Sequence, residues 1–400
     1  MSRATVATPG NRIDFALIRR PALAAVVALA IGMSLGPLGL RVLRPQLIED
    51  GPPIESLTEI ALLICLFCVG LRLRMPIKWS LWQTPLRLST LTMLATAAMA
   101  AAAAHLMFDM SLAEALLLGA IVAPTDFVLT SDAIPSDTDH DGAAFVLAAE
   151  GGINNGLASA LVLLVLGMMG LSDSESAALG SISLIALWAA GGGCVAGWLI
   201  GAGMARGITL LDPERQSDFL EEAMVFATAA LAYGAALVIH TDGFLAVFAA
   251  GVALCHGGRL RHPLRNRPLM PRVLRIAARI ERFAWLAIIV LLGTLIASVE
   301  FKARMLLFAS VLLLVIRPLA VRLGLGGMAV PEAQWRAIAW LTPRGLASLY
   351  CLAFAINQGL STPFARELAG ITLVVVVSSI IASGFSGLPL SRASPGTVDL

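Results

Sequence analysis

The chain contains 400 residues, of which 58% are hydrophobic and 14% charged, and its mean hydropathy is +0.86. A soluble domain is roughly 45–50% apolar and about 25% charged, so this composition excludes an ordinary soluble protein and indicates a polytopic membrane protein. The formal net charge of +2 is too small to indicate binding to nucleic acid.

Apolar stretches predict about twelve membrane-spanning helices of about 20 residues each, the length that crosses a hydrocarbon core of about 30 Å. They lie near residues 21–40, 56–73, 86–107, 112–131, 143–169, 179–204, 217–239, 241–256, 275–297, 303–323, 333–356 and 364–387. The first stretch is long enough to span and no clear cleavage site follows it, so we expect no removable signal peptide.

Arginine and lysine residues indicate the orientation of these helices. They are concentrated before the first predicted helix and after the second, sixth and eighth, and all four positions fall on one side of the membrane. Loops rich in lysine and arginine face the cytoplasm. We therefore expect both termini to be cytoplasmic.

The fourth predicted helix contains VAPTDFVLTSD, residues 122–132, which places a proline and a carboxylate in an apolar segment. Pro124 removes a helix hydrogen bond and clashes with the preceding turn, so nearby backbone polar groups become free to face an ion or a cavity. A charge at membrane depth is costly, so Asp126 requires a function or a close partner. A broken helix that carries an acid predicts a substrate site.

The eleventh predicted helix is also interrupted, at Pro343 in the segment WLTPRGLASL, residues 340–349. Paired interruptions at corresponding positions of two halves indicate an inverted repeat with a binding site near the middle of the membrane. The chain therefore has two predicted helix breaks, Pro124 and Pro343.

The fifth predicted helix carries polar side chains inside a long apolar run. In AAEGGINNGLA, residues 148–158, these are Glu150, Asn154 and Asn155. Glu150 and Asn154 are four residues apart and therefore share a helix face.

Two arginines fall within apolar helices, Arg317 in the tenth and Arg344 in the eleventh. Unpaired charges at this depth are destabilising, so two acids and two arginines in four helices suggest mutual neutralisation. We expect Glu150, Arg317 and Arg344 to form structural ion pairs. A second role for Arg344, at the ion site, stays open. Asp126 is the exception because, of the two acids, it alone adjoins a helix break.

Five motifs in a fixed order resemble the NhaP-like branch of the monovalent cation:proton antiporters, within the Na⁺/H⁺ exchanger family. They are VAPTDFVLTSD, AEGGINNGLA, DGFLAVFAAGVAL, VIRPLA and LTPRGLASLY, and the resemblance extends from Gly36 to Ser386. It implies an all-α polytopic membrane protein with an NhaA-like antiporter fold, an inverted repeat and two crossing broken helices. Members of this family exchange Na⁺ or K⁺ for H⁺ by elevator-type alternating access, and a separate dimerisation domain implies a homodimer.

The resemblance also implies a division of the chain. We expect dimerisation or scaffold helices in two parts, a core transport domain in two halves, a group of linking helices and a cytoplasmic tail. The respective ranges are 1–80 and 241–298 for the scaffold, 81–175 and 299–390 for the core, 176–240 for the linking helices and 391–400 for the tail.

The resemblance assigns the ion site residue by residue. Thr125 and Asp126 match the family's unwound Thr-Asp pair, with the monovalent cation at Asp126. Asn154 matches the asparagine of the family's Asn-Asp pair. Glu150 matches an acid that pairs structurally with an arginine, here Arg317.

At the next position the chain departs from the family, because Asn155 replaces the ion-binding aspartate. An aspartate exchanges a proton for a cation because both compete for one carboxylate, whereas an amide has no proton to trade. Asn155 still offers a carbonyl oxygen to a hard cation. Asp126 is then the acid at which the competition between proton and cation must occur.

The leading hypothesis is an inner-membrane transporter that exchanges Na⁺ or K⁺ for H⁺ in an electroneutral cycle with Asp126 as the carrier. The alternative is a coupling-deficient cation-binding or sensory protein on the antiporter scaffold, because of Asn155. An enzyme is disfavoured, since the sequence contains no nucleophile–base set and no metal-ligand cluster. We expect no cofactor, and the lipid bilayer, cations and protons as partners.

Overall fold

In the computed structural model the described residues are 21–73, 75–126, 142–171, 179–210, 218–257, 269–297, 299–328, 330, 332–340 and 343–390. Within these ranges all secondary structure is helical. The helices are α1 Pro21–Leu35, α2 Gly51–Arg72, α3 Trp79–Arg87, α4 Met93–Phe108, α5 Leu112–Val122, α6 Gly142–Met168, α7 Leu179–Leu210, α8 Asp218–Val238, α9 Gly243–Gly257, α10 Leu269–Ile296, α11 Ala303–Val311, α12 Arg317–Gly324, α13 Glu332–Trp340, α14 Leu346–Asn357 and α15 Thr362–Leu390.

By length and composition, six helical segments in the described residues can cross a membrane. They are Gly51–Arg72, Trp79–Phe108, Phe145–Met168, Trp188–Ile208, Ala303–Gly324 and Thr362–Ser383. Shorter apolar helices accompany them, including α5, α9 and α14. Several of these short helices arise because predicted spans are divided or shortened.

Two of the six segments each contain one π-helical turn. Leu88–Thr92 joins α3 to α4, and Leu312–Ile316 joins α11 to α12. Pro318 in the first turn of α12 lacks a backbone N–H, so a carbonyl in the preceding π turn has no regular helical donor. An interrupted helix follows each π-containing segment, so the same order of elements occurs twice, as expected for a repeat.

The first interruption ends α5. This helix begins with a capping box, in which the Ser111 N–H donates to Glu114 Oε2 at 2.9 Å and the Glu114 N–H donates to Ser111 Oγ at 3.3 Å. It ends at Val122, two residues before Pro124. Of the predicted span at 112–131, residues 112–122 are helical and 123–126 are not, whereas 127–131 lie outside the described part of the chain.

The second interruption separates α13 from α14, within the predicted span 333–356 and at the predicted break around Pro343. Residues 343–345 are not helical, and α14 begins at Leu346. The two interruptions touch, since the Asp126 N–H donates to the Pro343 carbonyl at 2.8 Å. This hydrogen bond joins residues that are 217 apart in sequence, so the two helix breaks form one crossing in the buried interior.

Close packing of α7 on α9 depends on residues without large side chains. Gly193 of α7 lies against the backbone of Asp242, which directly precedes α9, and Gly197 and Gly201 lie against the backbone of Ala246 and Ala250 of α9. The contacts advance by four residues on both helices, so the two run parallel. Small residues at this spacing let helix backbones approach closely, which is how helices gain packing energy in lipid.

We predict that Gly197→Ala destabilises the protein by about 1–3 kcal/mol, because the added carbon must displace the α9 backbone. A Cβ at this position would lie only 1.9 Å from the Ala246 carbonyl oxygen. Gly203→Ala on the same helix is the matched control, since its Cβ would meet no atom within 4 Å. Thermal unfolding in detergent should show a lower midpoint for Gly197→Ala only; equal midpoints for the two variants would contradict the packing.

Candidate functional site

Asp126 lies at the crossing of the two interruptions, where its carboxylate faces the start of α14. The groups that stabilise its negative charge are the backbone N–H groups of Leu346 and Ala347 and the side-chain amide of Asn155. The first N–H groups of a helix have no partner inside the helix and carry partial positive charge, so they stabilise an anion. The side chain is buried, with 6% of its surface exposed.

Gly345 allows this approach. It precedes α14, and a Cβ built at this position would lie 2.8 Å from Asp126 Oδ2. A side chain there would push the carboxylate away from the helix start. The glycine of the PRG segment is therefore part of the Asp126 environment, although it contributes no functional group of its own.

Arg344 acts at the opposite helix end. Its Nε donates to the carbonyl of Val122, the last residue of α5, and its backbone N–H donates to Ser379 Oγ at 2.8 Å. The final carbonyls of a helix lack donors and carry partial negative charge, so a guanidinium stabilises them. Arg344 is fully buried, and in the part of the chain that the structure describes its two terminal nitrogens have no hydrogen-bond partner.

Each interruption thus places a charged side chain at the end of a helix that belongs to the other interruption. Asp126, which follows α5, lies at the positive start of α14, and Arg344, which precedes α14, lies at the negative end of α5. Arg344 was expected in an ion pair with an acid. Its contact is a backbone carbonyl instead, and it makes no ion pair with any described residue.

A second group of contacts connects α6 to α12. Arg317 Nη2 donates to Glu150 Oε1 at 2.7 Å, and these side chains are only 2% and 1% exposed. Thr125 Oγ1 donates to the same oxygen at 3.4 Å, and Asn154 Nδ2 donates to Thr125 Oγ1 at 2.9 Å. The ion pair therefore supports Thr125 and Asn154, which adjoin Asp126 and Asn155 in sequence.

Several buried oxygens near this crossing have no hydrogen-bond donor among the described residues. They are Oδ1 of Asn154, Oδ1 of Asn155 and Oε2 of Glu150. A buried acceptor without a donor costs about 1–3 kcal/mol, and such groups are rare in folded proteins. Carboxylate and amide oxygens are ligands that hard cations prefer. The side-chain oxygens of Asp126, Asn154 and Asn155 thus form a set of ligands suited to a cation.

The four ionisable groups at this depth balance formally. Asp126 and Glu150 each carry one negative charge, and Arg317 and Arg344 each carry one positive charge. Glu150 is paired with Arg317, whereas Asp126 is held by amides. Among the described residues, Asp126 is accordingly the acid of this group that has no arginine partner.

The structure also identifies contributors that sequence reasoning missed. The backbone amides of Leu346 and Ala347 have no side-chain signal, and Ser379 lies inside an apolar run of α15. Ser89 of the first π turn was missed as well; its Oγ donates to the Glu150 carbonyl at 3.2 Å. Of the motifs used as signals, residues 127–132 and 341–342 lie outside the described part of the chain.

We predict that Arg317→Ala destabilises the protein by about 3–5 kcal/mol, because Glu150 is left as a buried charge without its partner. Combining it with Glu150→Gln removes that charge and should restore part of the lost stability. Thermal unfolding of the single and double variants measures this difference. A double variant no more stable than Arg317→Ala would argue against the pairing.

Residues 11–393 match the family model described as "Sodium/hydrogen exchanger, transmembrane". The K(+)/H(+) antiporter NhaP of Alkalimonas amylolytica is 28% identical over 378 residues, which cover 92% of this chain and 62% of that protein. The K(+)/H(+) antiporter NhaP2 of Shewanella sp. (strain MR-4) is 25% identical over 366 residues, 90% of this chain and 61% of that protein. The chain spans less than two thirds of the length of these relatives.

Among solved structures, the sodium proton antiporter MjNhaP1 from Methanocaldococcus jannaschii at pH 8 superposes with a TM-score of 0.73 at 20% sequence identity. The superposition covers 94% of this chain and 98% of that one. The predicted all-α polytopic antiporter fold is confirmed by this match. Because the family model extends over nearly the whole chain, the protein belongs to the transmembrane sodium/hydrogen exchanger family.

Proposed function

We propose that the protein exchanges a monovalent cation, Na⁺ or K⁺, for H⁺ across the membrane, with Asp126 as the carrier. The observation that carries this proposal is the position of Asp126, a buried acid at the start of α14 that has no arginine partner in the described part of the chain. The named relatives are K⁺/H⁺ antiporters and the similar solved structure is a sodium proton antiporter, which supports both cations as candidates.

The proposed cation ligands are the Asp126 carboxylate, the Thr125 hydroxyl and the carbonyl oxygens of Asn154 and Asn155. The two amide oxygens have no donor among the described residues, so binding a cation would relieve their unsatisfied state. Thr125 already contacts Asn154 and Glu150, which holds its hydroxyl beside the site. No resident cofactor takes part; the ions are substrates.

Charge balance supports an electroneutral cycle. With Asp126 ionised, the formal charges of the four ionisable groups around the crossing sum to zero, and a proton or a monovalent cation on Asp126 each adds one positive charge. The two loaded forms therefore have equal charge as they cross the membrane. One cation would move in one direction for each proton that moves in the other, and the membrane potential would not drive the exchange.

We propose elevator-type alternating access in which the crossing moves as a unit. The Asp126 N–H bond to Pro343 and the Arg344 bond to Val122 connect the two interruptions directly, so α5 and α14 would carry the ion together. The proposed moving core comprises 81–175 and 299–390, and the proposed scaffold comprises 1–80 and 241–298. A homodimer in the inner membrane with cytoplasmic termini completes the proposal.

One observation favours a second candidate function. Asn155 occupies the position of the family's aspartate and cannot release a proton. A protein that binds a cation at Asp126 without coupling it to proton movement would serve as a cation-binding or sensory protein. Transport measurements on the native chain and two variants separate the candidates.

We predict that Asp126→Asn abolishes proton movement driven by a Na⁺ or K⁺ gradient, because the variant lacks the carboxylate for which cation and proton compete. The measurement is dequenching of a pH-sensitive dye in proteoliposomes after addition of either cation. The matched control is Asp109→Asn, an exposed acid at the end of α4 with φ of 55°, a conformation that asparagine tolerates.

The control variant should transport like the native protein. Both variants should elute from size-exclusion chromatography as the native protein does, so that loss of transport is not loss of folding. Native-level exchange by Asp126→Asn would remove Asp126 from the carrier role.

We predict that Asn155→Asp remains active with a half-maximal pH shifted upward and a higher apparent cation affinity. Two carboxylates in one low-dielectric site repel each other, which favours protonation when no cation is bound, and a bound cation relieves the repulsion. The added carboxylate also gives the ionisable groups around the crossing a net negative charge when no cation or proton is bound. Titration across pH, with and without a clamped membrane potential, measures both effects.

The same titration decides between the two candidate functions. A native protein without exchange and an Asn155→Asp variant with exchange would indicate the uncoupled cation-binding protein. Identical profiles for the two forms would show that residue 155 does not face the ion, and the proposed ligand set would be wrong.

A further inference from the structure

A cavity of about 660 Å³ lies apart from the crossing, and none of its lining residues belongs to the candidate ion site. Its walls are the connection 46–49 before α2, residues 299–302 between α10 and α11, and the first turns of α15. One helix ends and three begin around it. The cavity is therefore at the end of the helix bundle, the level at which lipid headgroups meet the hydrocarbon core.

The charged groups of the cavity are balanced in sign. Glu367 is paired with Arg304 at 2.8 Å. The remaining charged lining residues are Glu49, Glu300, Lys302 and Arg366, two acids and two bases.

These four groups are exposed and have no ionic partner within the described residues. Glu49 accepts one hydrogen bond from Gln46 Nε2 at 2.8 Å. A purely anionic ligand would meet the two bases but also two acids. A ligand that carries one charge of each sign matches the set.

The deeper wall of the same cavity is apolar. Leu47, Met305, Ala369 and Leu373 are buried and Val299 is half-buried. A small water-soluble zwitterion would leave this wall without a partner, whereas the glycerol and first acyl carbons of a lipid would cover it. The charged rim and the apolar wall of the cavity together fit an amphiphilic ligand.

We propose that this cavity binds a zwitterionic phospholipid with a primary amine, of the phosphatidylethanolamine type. Its phosphate contacts Lys302 and Arg366, and its ammonium donates to the carboxylates of Glu49 and Glu300. A primary ammonium has three N–H donors, whereas the quaternary amine of phosphatidylcholine has none. The amine therefore gives the site a preference between two lipids of equal net charge.

The site has a consequence that rests on the exchange mechanism proposed above. Residues 46–49 belong to the proposed scaffold and α15 to the proposed moving core, so a bound lipid contacts both. Occupancy would hold the two parts together on this side of the membrane. The binding itself is measured without transport, so failure of either proposal can be recognised separately.

The test uses the purified full-length chain, stripped of lipid in detergent and offered equal amounts of phosphatidylethanolamine, phosphatidylcholine and phosphatidylglycerol with identical acyl chains. Native mass spectrometry then counts the lipids that each protein retains. We expect phosphatidylethanolamine to be retained about tenfold over the other two, the effect of one charge-assisted hydrogen bond. Lys302→Gln combined with Arg366→Gln should lower this retention about tenfold.

The matched control combines Arg41→Gln with Arg44→Gln, two exposed arginines before α2 that do not line the cavity. It should retain phosphatidylethanolamine like the native protein. Equal retention of the three lipids, or a preference that survives loss of Lys302 and Arg366, would overturn the proposal. Displacement of the lipid by free phosphoethanolamine at equal concentration would overturn the lipid as the ligand and indicate a soluble zwitterion.

A second double variant tests the same site by a gain of binding. Glu49→Gln with Glu300→Gln leaves two unopposed bases, so the preference should change from phosphatidylethanolamine to the anionic phosphatidylglycerol. This result is readable even where the Lys302 and Arg366 variant does not fold. An unchanged order of lipids in this variant counts against the proposed ammonium contacts.

Discussion

The exchange of charges between two broken helices is the constraint on which the rest of the interior depends. Asp126 meets the free amides at the start of α14, and Arg344 meets a free carbonyl at the end of α5. Neither helix end is exposed to water, so each needs a partner of the opposite sign. The same two contacts satisfy the backbone, hold the crossing together and leave a carboxylate facing polar oxygens. Structure and proposed chemistry therefore share one set of groups.

Around that crossing, the buried pair of Glu150 and Arg317 acts as a support rather than as a carrier. Arg317 Nη2 and Glu150 Oε1 lie 2.7 Å apart, so the two charges neutralise each other. Glu150 also accepts a hydrogen bond from the Thr125 hydroxyl. Asn155 lies outside this support: its side-chain amide acts on Asp126 and not on the Glu150–Arg317 pair. The supporting ion pair and the Asp126 environment are therefore two separate sets of contacts.

The sequence predicted the isolated charges well and their partners only in part. Asp126, Glu150 and Arg317 are visible because a charge inside an apolar run is unusual, and the break at Pro124 is visible because proline cannot continue a helix. The contact of Arg344 with a carbonyl was not predictable, since helix ends are backbone features that depend on the crossing. The π turns were missed for a related reason. In helices that are apolar on all faces, one extra residue leaves no break in the polar pattern.

Those π turns also determine where the buried charges point. A π turn contains one residue more than the α turn it replaces, and each residue advances an α-helix by about 100°. Without the extra residue in Leu312–Ile316, Arg317 would face a different direction relative to α11 and could not meet Glu150 while α11 kept its place. The angular position of the ion pair is thus set by chain length between fixed helices. A homologous helix of the same composition but one residue shorter would need a different partner for its arginine.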